Sequence, residues 1–207
     1  PNNFTDHGMG LIARHLPRLQ TLIFCPQGDE FSRAITAKGF ESLCELVNLE
    51  MLGINGMNVT NDVLKNISQA CTKLTSLSLK ETSVDDDGML NLPVGLKELF
   101  LKHTGTSNRG LIKIKEKCLQ LRTLSLRCLY EITELGLDHL PRDLEKLSLW
   151  DVHHRSDPLI DIADVCFKLK ILHVRGRNIT AEGLLIIASL TELEELQIGD
   201  QYRALDR

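Results

Sequence analysis

Eight times along this chain a leucine is followed three and five residues later by further apolar side chains. The frames open at Leu19, Leu49, Leu74, Leu96, Leu121, Leu144, Leu169 and Leu193. The intervals between them are 30, 25, 22, 25, 23, 25 and 24 residues, so one small unit recurs along the chain. In the LxxLxL frame the fourth and sixth positions are always apolar, as in Leu77 and Leu79 or Leu172 and Val174. Alternation at period two turns those residues to one face and positions 5 and 7 to the other. Each frame therefore predicts a short strand with its leucines facing inward.

A second column precedes each frame by 11–14 residues: Thr5, Thr36, Thr60, Asp85, Ser107, Thr133, Ser156 and Thr180. These residue types accept hydrogen bonds from the free amides at a helix start. Six of the eight are followed three residues later by glycine, then by an apolar run such as GLIKIKEKC. Glycine costs about 1 kcal/mol inside a helix, so its recurrence predicts a close approach between neighbouring helices. The expected unit is helix, turn, strand, stacked into a curved solenoid.

Cys71-Thr-Lys-Leu74, Cys118-Leu-Gln-Leu121 and Cys166-Phe-Lys-Leu169, with Asn178-Ile-Thr-Ala-Glu-Gly-Leu184 at a helix start, carry a more specific signal. Over essentially the whole chain this pattern resembles the cysteine-containing leucine-rich repeats. The resemblance implies an α/β horseshoe with parallel strands on its concave face and helices on its convex face. It also implies the substrate-binding arm of an F-box protein in a cullin-type ubiquitin ligase, or a related intracellular adaptor, cytoplasmic or nuclear. Ligase subunits would then be reached through regions outside this chain. There are two departures. Position 9 holds Met57, Thr82, Thr104, Leu129 and Arg177 where Asn or Cys is usual, and alternate repeats shorten CxxL to LPVGL (92–96) and LPRDL (140–144). Long and short units thus alternate with a period of about 48 residues, marked by Leu74, Leu121 and Leu169. Residues 1–207 read as one domain of about eight repeats, a piece of a longer array without clear caps. The long first interval holds an insertion at 25–33, expected to form a rim loop.

The net charge of −4 and pI near 6 argue against a general nucleic-acid binder. No apolar run is long enough to span a bilayer. The six cysteines form no CxxC pair and no zinc spacing, and read as reduced thiols. Four glycosylation sequons, at Asn3, Asn58, Asn66 and Asn178, keep a secreted or surface receptor ectodomain as an alternative.

The variable positions carry the functional signal. Position 7 reads Cys25, Asn55, Lys80, Lys102, Arg127, Trp150, Arg175 and Gly199, while Phe100 and His173 stand at position 5. Neighbouring strands lie about 4.8 Å apart, so the position-7 side chains form one continuous row. From Lys80 to Arg175 that row is basic except for the single tryptophan, expected to be exposed. Lys80, Phe100, Lys102, Arg127, Trp150, His173 and Arg175 are the candidate partner-binding residues. They suit an acidic or phosphorylated segment, with Trp150 and Phe100 as anchors and the arginines pairing carboxylate or phosphate.

No catalytic constellation stands out, and neither a cofactor nor a metal is expected. Asp85-Asp86-Asp87-Gly88 falls on a helix start, where free amides and the helix dipole suffice to hold carboxylates. His153 and His154 are adjacent and would point apart in an extended chain. Cys25 and Cys128 are candidate accessible thiols with no assignable base. The expectation is a non-enzymatic protein-interaction module; the alternative within that class is a scaffold that works through its convex face.

Overall fold

A computed structural model describes residues 5–24, 34–153, 155–176 and 178–199. The predicted rim loop at 25–33, Cys25, Asn3, His154 and Arg177 lie outside the described residues. So does the segment 200–207.

Each frame forms a strand: β1 (Thr21–Phe24), β2 (Met51–Ile54), β3 (Ser76–Lys80), β4 (Glu98–Lys102), β5 (Thr123–Arg127), β6 (Lys146–Trp150), β7 (Ile171–Arg175) and β8 (Glu195–Gly199). They make one parallel sheet in chain order. Equivalent leucines stand side by side in it, as in Leu77↔Leu99 and Leu124↔Leu147. A helix precedes each strand: α1 (Asp6–His15), α2 (Ala37–Leu43), α3 (Asn61–Ala70), α4 (Asp86–Met89), α5 (Asn108–Lys117), α6 (Glu134–Leu137), α7 (Pro158–Val165) and α8 (Ala181–Ile187). Among the described residues each helix lies beside the helices before and after it in the chain. This is the leucine-rich-repeat solenoid, with the sheet lining the concave side.

The core lies between sheet and helices. Leu77, Leu99, Leu124, Leu147 and Leu172 are wholly buried, and so are Leu64, Ile114 and Ile162 from the helices. At roughly 2 kcal/mol per buried leucine, this layer dominates the stability. The repeat cysteines serve the same layer. The Cys71 thiol donates to the Leu43 carbonyl at 3.4 Å, Cys166 to Pro141 at 3.6 Å, and Cys118 reaches Pro93 at 4.0 Å. Each thiol thereby tethers a carbonyl of the preceding repeat.

The predicted caps are present with one shift. Thr36, Thr60, Asp85, Ser107 and Thr180 each accept a helix-start amide through the side chain. Thr5 and Thr133 hold the cap position without such a bond. In the seventh repeat the cap is Asp157 rather than Ser156, because Pro158 occupies the first helical position and the Asp157 carboxylate takes the Leu159 amide.

The glycine column has a specific cause. Asp6 accepts the Thr36 amide and hydroxyl, Asp86 those of Ser107, and Asp157 those of Thr180. Asn61 and Asn108 likewise bond Asp85 and Thr133. A side chain from each of these repeats thus clamps the next helix start. The glycine three residues on lies against that clamp: a Cβ at Gly39, Gly88, Gly110, Gly136 or Gly183 would collide with it.

Candidate functional site

Strand register confirms a single row, Lys80↔Lys102↔Arg127↔Trp150↔Arg175, at the outward ends of β3 to β7. The fold puts these residues together because one strand per repeat stacks position 7 on position 7. Phe100 and His173 share the next row but are separated by Ser125 and Ser148, so they do not form one patch.

The row differs from a plain solvated face in one respect. The Arg127 guanidinium carbon lies 3.9 Å from the centroid of the Trp150 ring, and that of Arg175 lies 5.6 Å from it. The two guanidiniums approach the same indole from its two neighbouring strands. Trp150 is accordingly half-buried, not freely exposed, and its faces serve the arginines. Cation–π contact of this kind is worth about 0.5–2 kcal/mol and fixes both cations in place. The Arg127 Nε is buried with no hydrogen-bond partner in the structure.

The other predicted residues have different surroundings. Lys102 pairs with Glu81 at 3.3 Å, and His173 Nε2 lies 2.8 Å from Glu195 Oε1. No acidic partner of the Lys80 ammonium occurs among the described residues. At the opposite ends of the strands, Glu145 sits between Arg122 (3.9 Å) and Lys170 (3.1 Å), so that row neutralises itself. The Glu145 contact also holds the Lys170 amine above its ordinary range. In the position-7 row four of the five residues from Lys80 to Arg175 are cations, and one of them, Lys102, is paired with Glu81.

Position 8, immediately beyond the row, escaped the sequence reading. Gly56, Glu81, His103, Cys128 and Asp151 all adopt left-handed backbone, with φ of 63°, 57°, 48°, 51° and 55°. The turn brings the amides of Gly56, Glu81, His103 and Cys128 to the position-7 carbonyl of the next strand, as in Cys128 N to Trp150 O at 2.8 Å. This conformation costs about 1–2 kcal/mol for a residue with a Cβ. Gly56 and Asp151, both types that tolerate it, were the available signal. On the same rim the exposed rings of His103, Tyr130 and His153 follow one another at tilted angles, with centroids 6.4 and 5.5 Å apart.

Reactive groups are engaged elsewhere. Burial, then the neighbouring Asp151, pushes the Cys128 thiol upward, opposite to what a nucleophile needs. In the Asp85–Asp87 run, Asp85 caps α4, Asp86 clamps Ser107, and Asp87 pairs with Lys113 at 2.7 Å. Those carboxylates have protein donors, as the helix-start reading requires. The amide of Asn178 donates to the Arg155 carbonyl, which gives that sequon asparagine a structural use. On the convex side a cleft of about 210 Å³ beside the short α4 is lined by Lys65, Ser68, Leu92, Pro93 and Lys117, among others. No helix is long and apolar enough to cross a membrane among the described residues.

Comparison with known proteins adds the fold and stops there. No protein-family model matches the chain, and no curated protein matches it in sequence. Solved structures do match. An internalin C2 of Listeria monocytogenes superposes with a TM-score of 0.56 at 21% identity, over 84% of this chain and 79% of that one. The fold is a leucine-rich-repeat solenoid. A second internalin of the same organism, inlF, gives a TM-score of 0.54 at 14% identity, with 93% of this chain matching 63% of that one. At such identities the likeness speaks for architecture alone.

Proposed function

We propose that this solenoid is a non-catalytic protein-interaction module whose concave row holds an acidic or phosphorylated segment of a partner. The Arg127–Trp150–Arg175 stack carries this reading. A surface that needs only solubility has no reason to hold two guanidiniums against one indole. Ordering long side chains costs entropy, and fixing them before a partner arrives lowers the cost of binding. Cations held this way suit two-pronged pairing with carboxylate or phosphate.

In its finer form, the proposal is the substrate-recognition arm of a cullin-type ubiquitin ligase, or a related adaptor, in the cytoplasm or nucleus. The CxxL cysteines support it, since all three lie buried with their thiols directed at carbonyls of the preceding repeat. The convex cleft between Lys65 and Lys117 favours a second reading, a scaffold engaged from the helical side.

The test is a crosslinking pull-down from cells with wild-type protein and a Trp150→Ala, Arg127→Glu, Arg175→Glu variant of matched folded stability. Loss of a specific partner is the expected result. Retention of every partner sinks the concave reading and moves attention to the convex cleft.

A further inference from the structure

The convex cleft beside α4 occupies the place of helical turns that α4 does not make. We infer that it docks a short acidic amphipathic helix of a partner. That helix would lie between α3 and α5, seat an apolar side chain in the cleft and set carboxylates against Lys65 and Lys117. The inference rests on the convex reading above and is independent of the concave row.

α3 and α5 each run for 10 residues, about 15 Å, whereas α4 between them ends after 4, about 6 Å. α4 packs on both neighbours, and among the described residues α3 and α5 do not pack on each other. Packed helix axes lie about 8–10 Å apart, so two such steps leave a gap about one helix wide beyond Met89. The chain leaves that gap at once, through Leu90-Asn-Leu-Pro-Val-Gly95 towards β4. The cleft of about 210 Å³ is what remains. Lys65 and Ser68 of α3 line one side and Lys117 of α5 the other, with the buried Leu92 and Pro93 in the stretch between.

The lining is apolar and basic. Leu90 and Val94 remain 52% and 68% exposed, which gives an occupant apolar surface to cover. Two lysines line the cleft and no carboxylate does. Neither Lys65 nor Lys117 has an acidic partner among the described residues, whereas Lys113, one turn before Lys117, is paired with Asp87. The Ser68 hydroxyl of the same lining also lacks a hydrogen-bond partner. The shortening recurs at α6, but there Asp138, Asp164 and Glu134 all crowd negative charge on Asp161. An acidic occupant is thus drawn to the notch at α4 and repelled from the notch at α6. An extended segment finds no strand edge here, because the sheet lies across the core, and Pro93 has no amide to offer. A helix satisfies its own backbone and brings only side chains to the cleft. With one lysine on each side, its apolar stripe needs an acidic residue along both edges.

The probe is a fluorescent, lactam-bridged helical peptide of about 15 residues, with leucines at i, i+4 and i+7 bordered on both sides by glutamates. A second peptide has the same composition in an order that forms no apolar face, and a third carries lysine for every glutamate. Each is titrated by anisotropy into the full chain and into Lys65→Glu, Lys117→Glu, Val94→Asp and Arg127→Glu variants whose folding is checked by circular dichroism. The first peptide should bind about tenfold more tightly than the others. Each cleft substitution should remove most of that advantage, and Arg127→Glu should leave it unchanged. Equal binding of the first two peptides overturns the helix, and equal binding of the first and third overturns the acidic occupant. Binding lost in Arg127→Glu but kept in the cleft variants places the peptide on the concave row, which overturns this inference and supports the concave reading. Absence of binding overturns the helix docked at the cleft and leaves the concave reading standing.

Discussion

The Asp157 carboxylate joins two repeats: one oxygen accepts the Leu159 amide of its own helix at 2.9 Å, and the other accepts the Thr180 amide and hydroxyl of the next at 2.7 Å each. Asp157 is nearly buried, so its removal strands those donors away from water. Asp157→Ala should lower unfolding free energy by about 2–4 kcal/mol in a denaturant titration, combining a lost cap with an unmet amide. Asp157→Asn keeps one acceptor oxygen and should lose less.

Two glycines should respond with opposite signs. A Cβ at Gly183 would strike the Asp157 carboxylate, which its three bonds prevent from moving aside. Gly183→Ala should cost about 1–3 kcal/mol by crowding. Gly10 also lies in a helix, but its nearest neighbour would be Ser42 Oγ at an ordinary 3.7 Å. Gly10→Ala should add about 0.5–1 kcal/mol through helix propensity. Thermal unfolding of the pair separates close approach from propensity.

Acid should act on Asp161 with a sign opposite to the usual one. Burial first, then the nearby Asp138, raises its carboxyl, with Asp164 and Glu134 adding to the effect. A raised folded-state value means that ionisation opposes folding. The penalty is absent below the ordinary unfolded range, near pH 4, and grows as pH rises through the folded value. Asp161→Asn should therefore raise the melting temperature at pH 7, and the gain should shrink as pH falls towards 4. A gain that stays constant with pH contradicts this account. Asp6 and Asp85 behave conventionally: hydrogen bonds from Thr36 and Asn61 lower them, so their stabilisation is lost in acid below the ordinary range.

The repeat thiols should be inert in the folded protein. Burial pushes Cys71 up to about 11 and Cys118 and Cys166 up to about 12. With almost no thiolate at neutral pH, they should resist alkylation until the chain unfolds, whereas the half-buried Cys44 and Cys128 should react first. Mass spectrometry after timed iodoacetamide treatment reads this directly.

Much of this architecture is visible in the sequence because one strand per repeat leaves no choice of register. Leu77, Leu99, Leu124, Leu147 and Leu172 had to stand side by side once the frames were aligned, and so did Lys80, Lys102, Arg127, Trp150 and Arg175. What stays hidden depends on side-chain direction rather than on order. Trp150 reads as an exposed anchor until the two guanidiniums are placed on it. The clamps of Asp6, Asn61, Asp86 and Asn108 follow the cap column by one residue, as Asp157 follows Ser156, but their bonds run to the next repeat, beyond the reach of a local helix-start pattern. The left-handed turn at Glu81, His103 and Cys128 is likewise invisible, since these are not turn-forming types.

The central claim is that the Arg127–Trp150–Arg175 row reads negative charge. Its most direct test is the affinity of a fluorescent acidic peptide for the wild-type chain and for an equally folded Arg127→Glu, Arg175→Glu variant, at low and at physiological salt. A loss of about tenfold or more in the variant, with wild-type binding weakening as salt rises, is the predicted result. Equal affinity of the two proteins would contradict it.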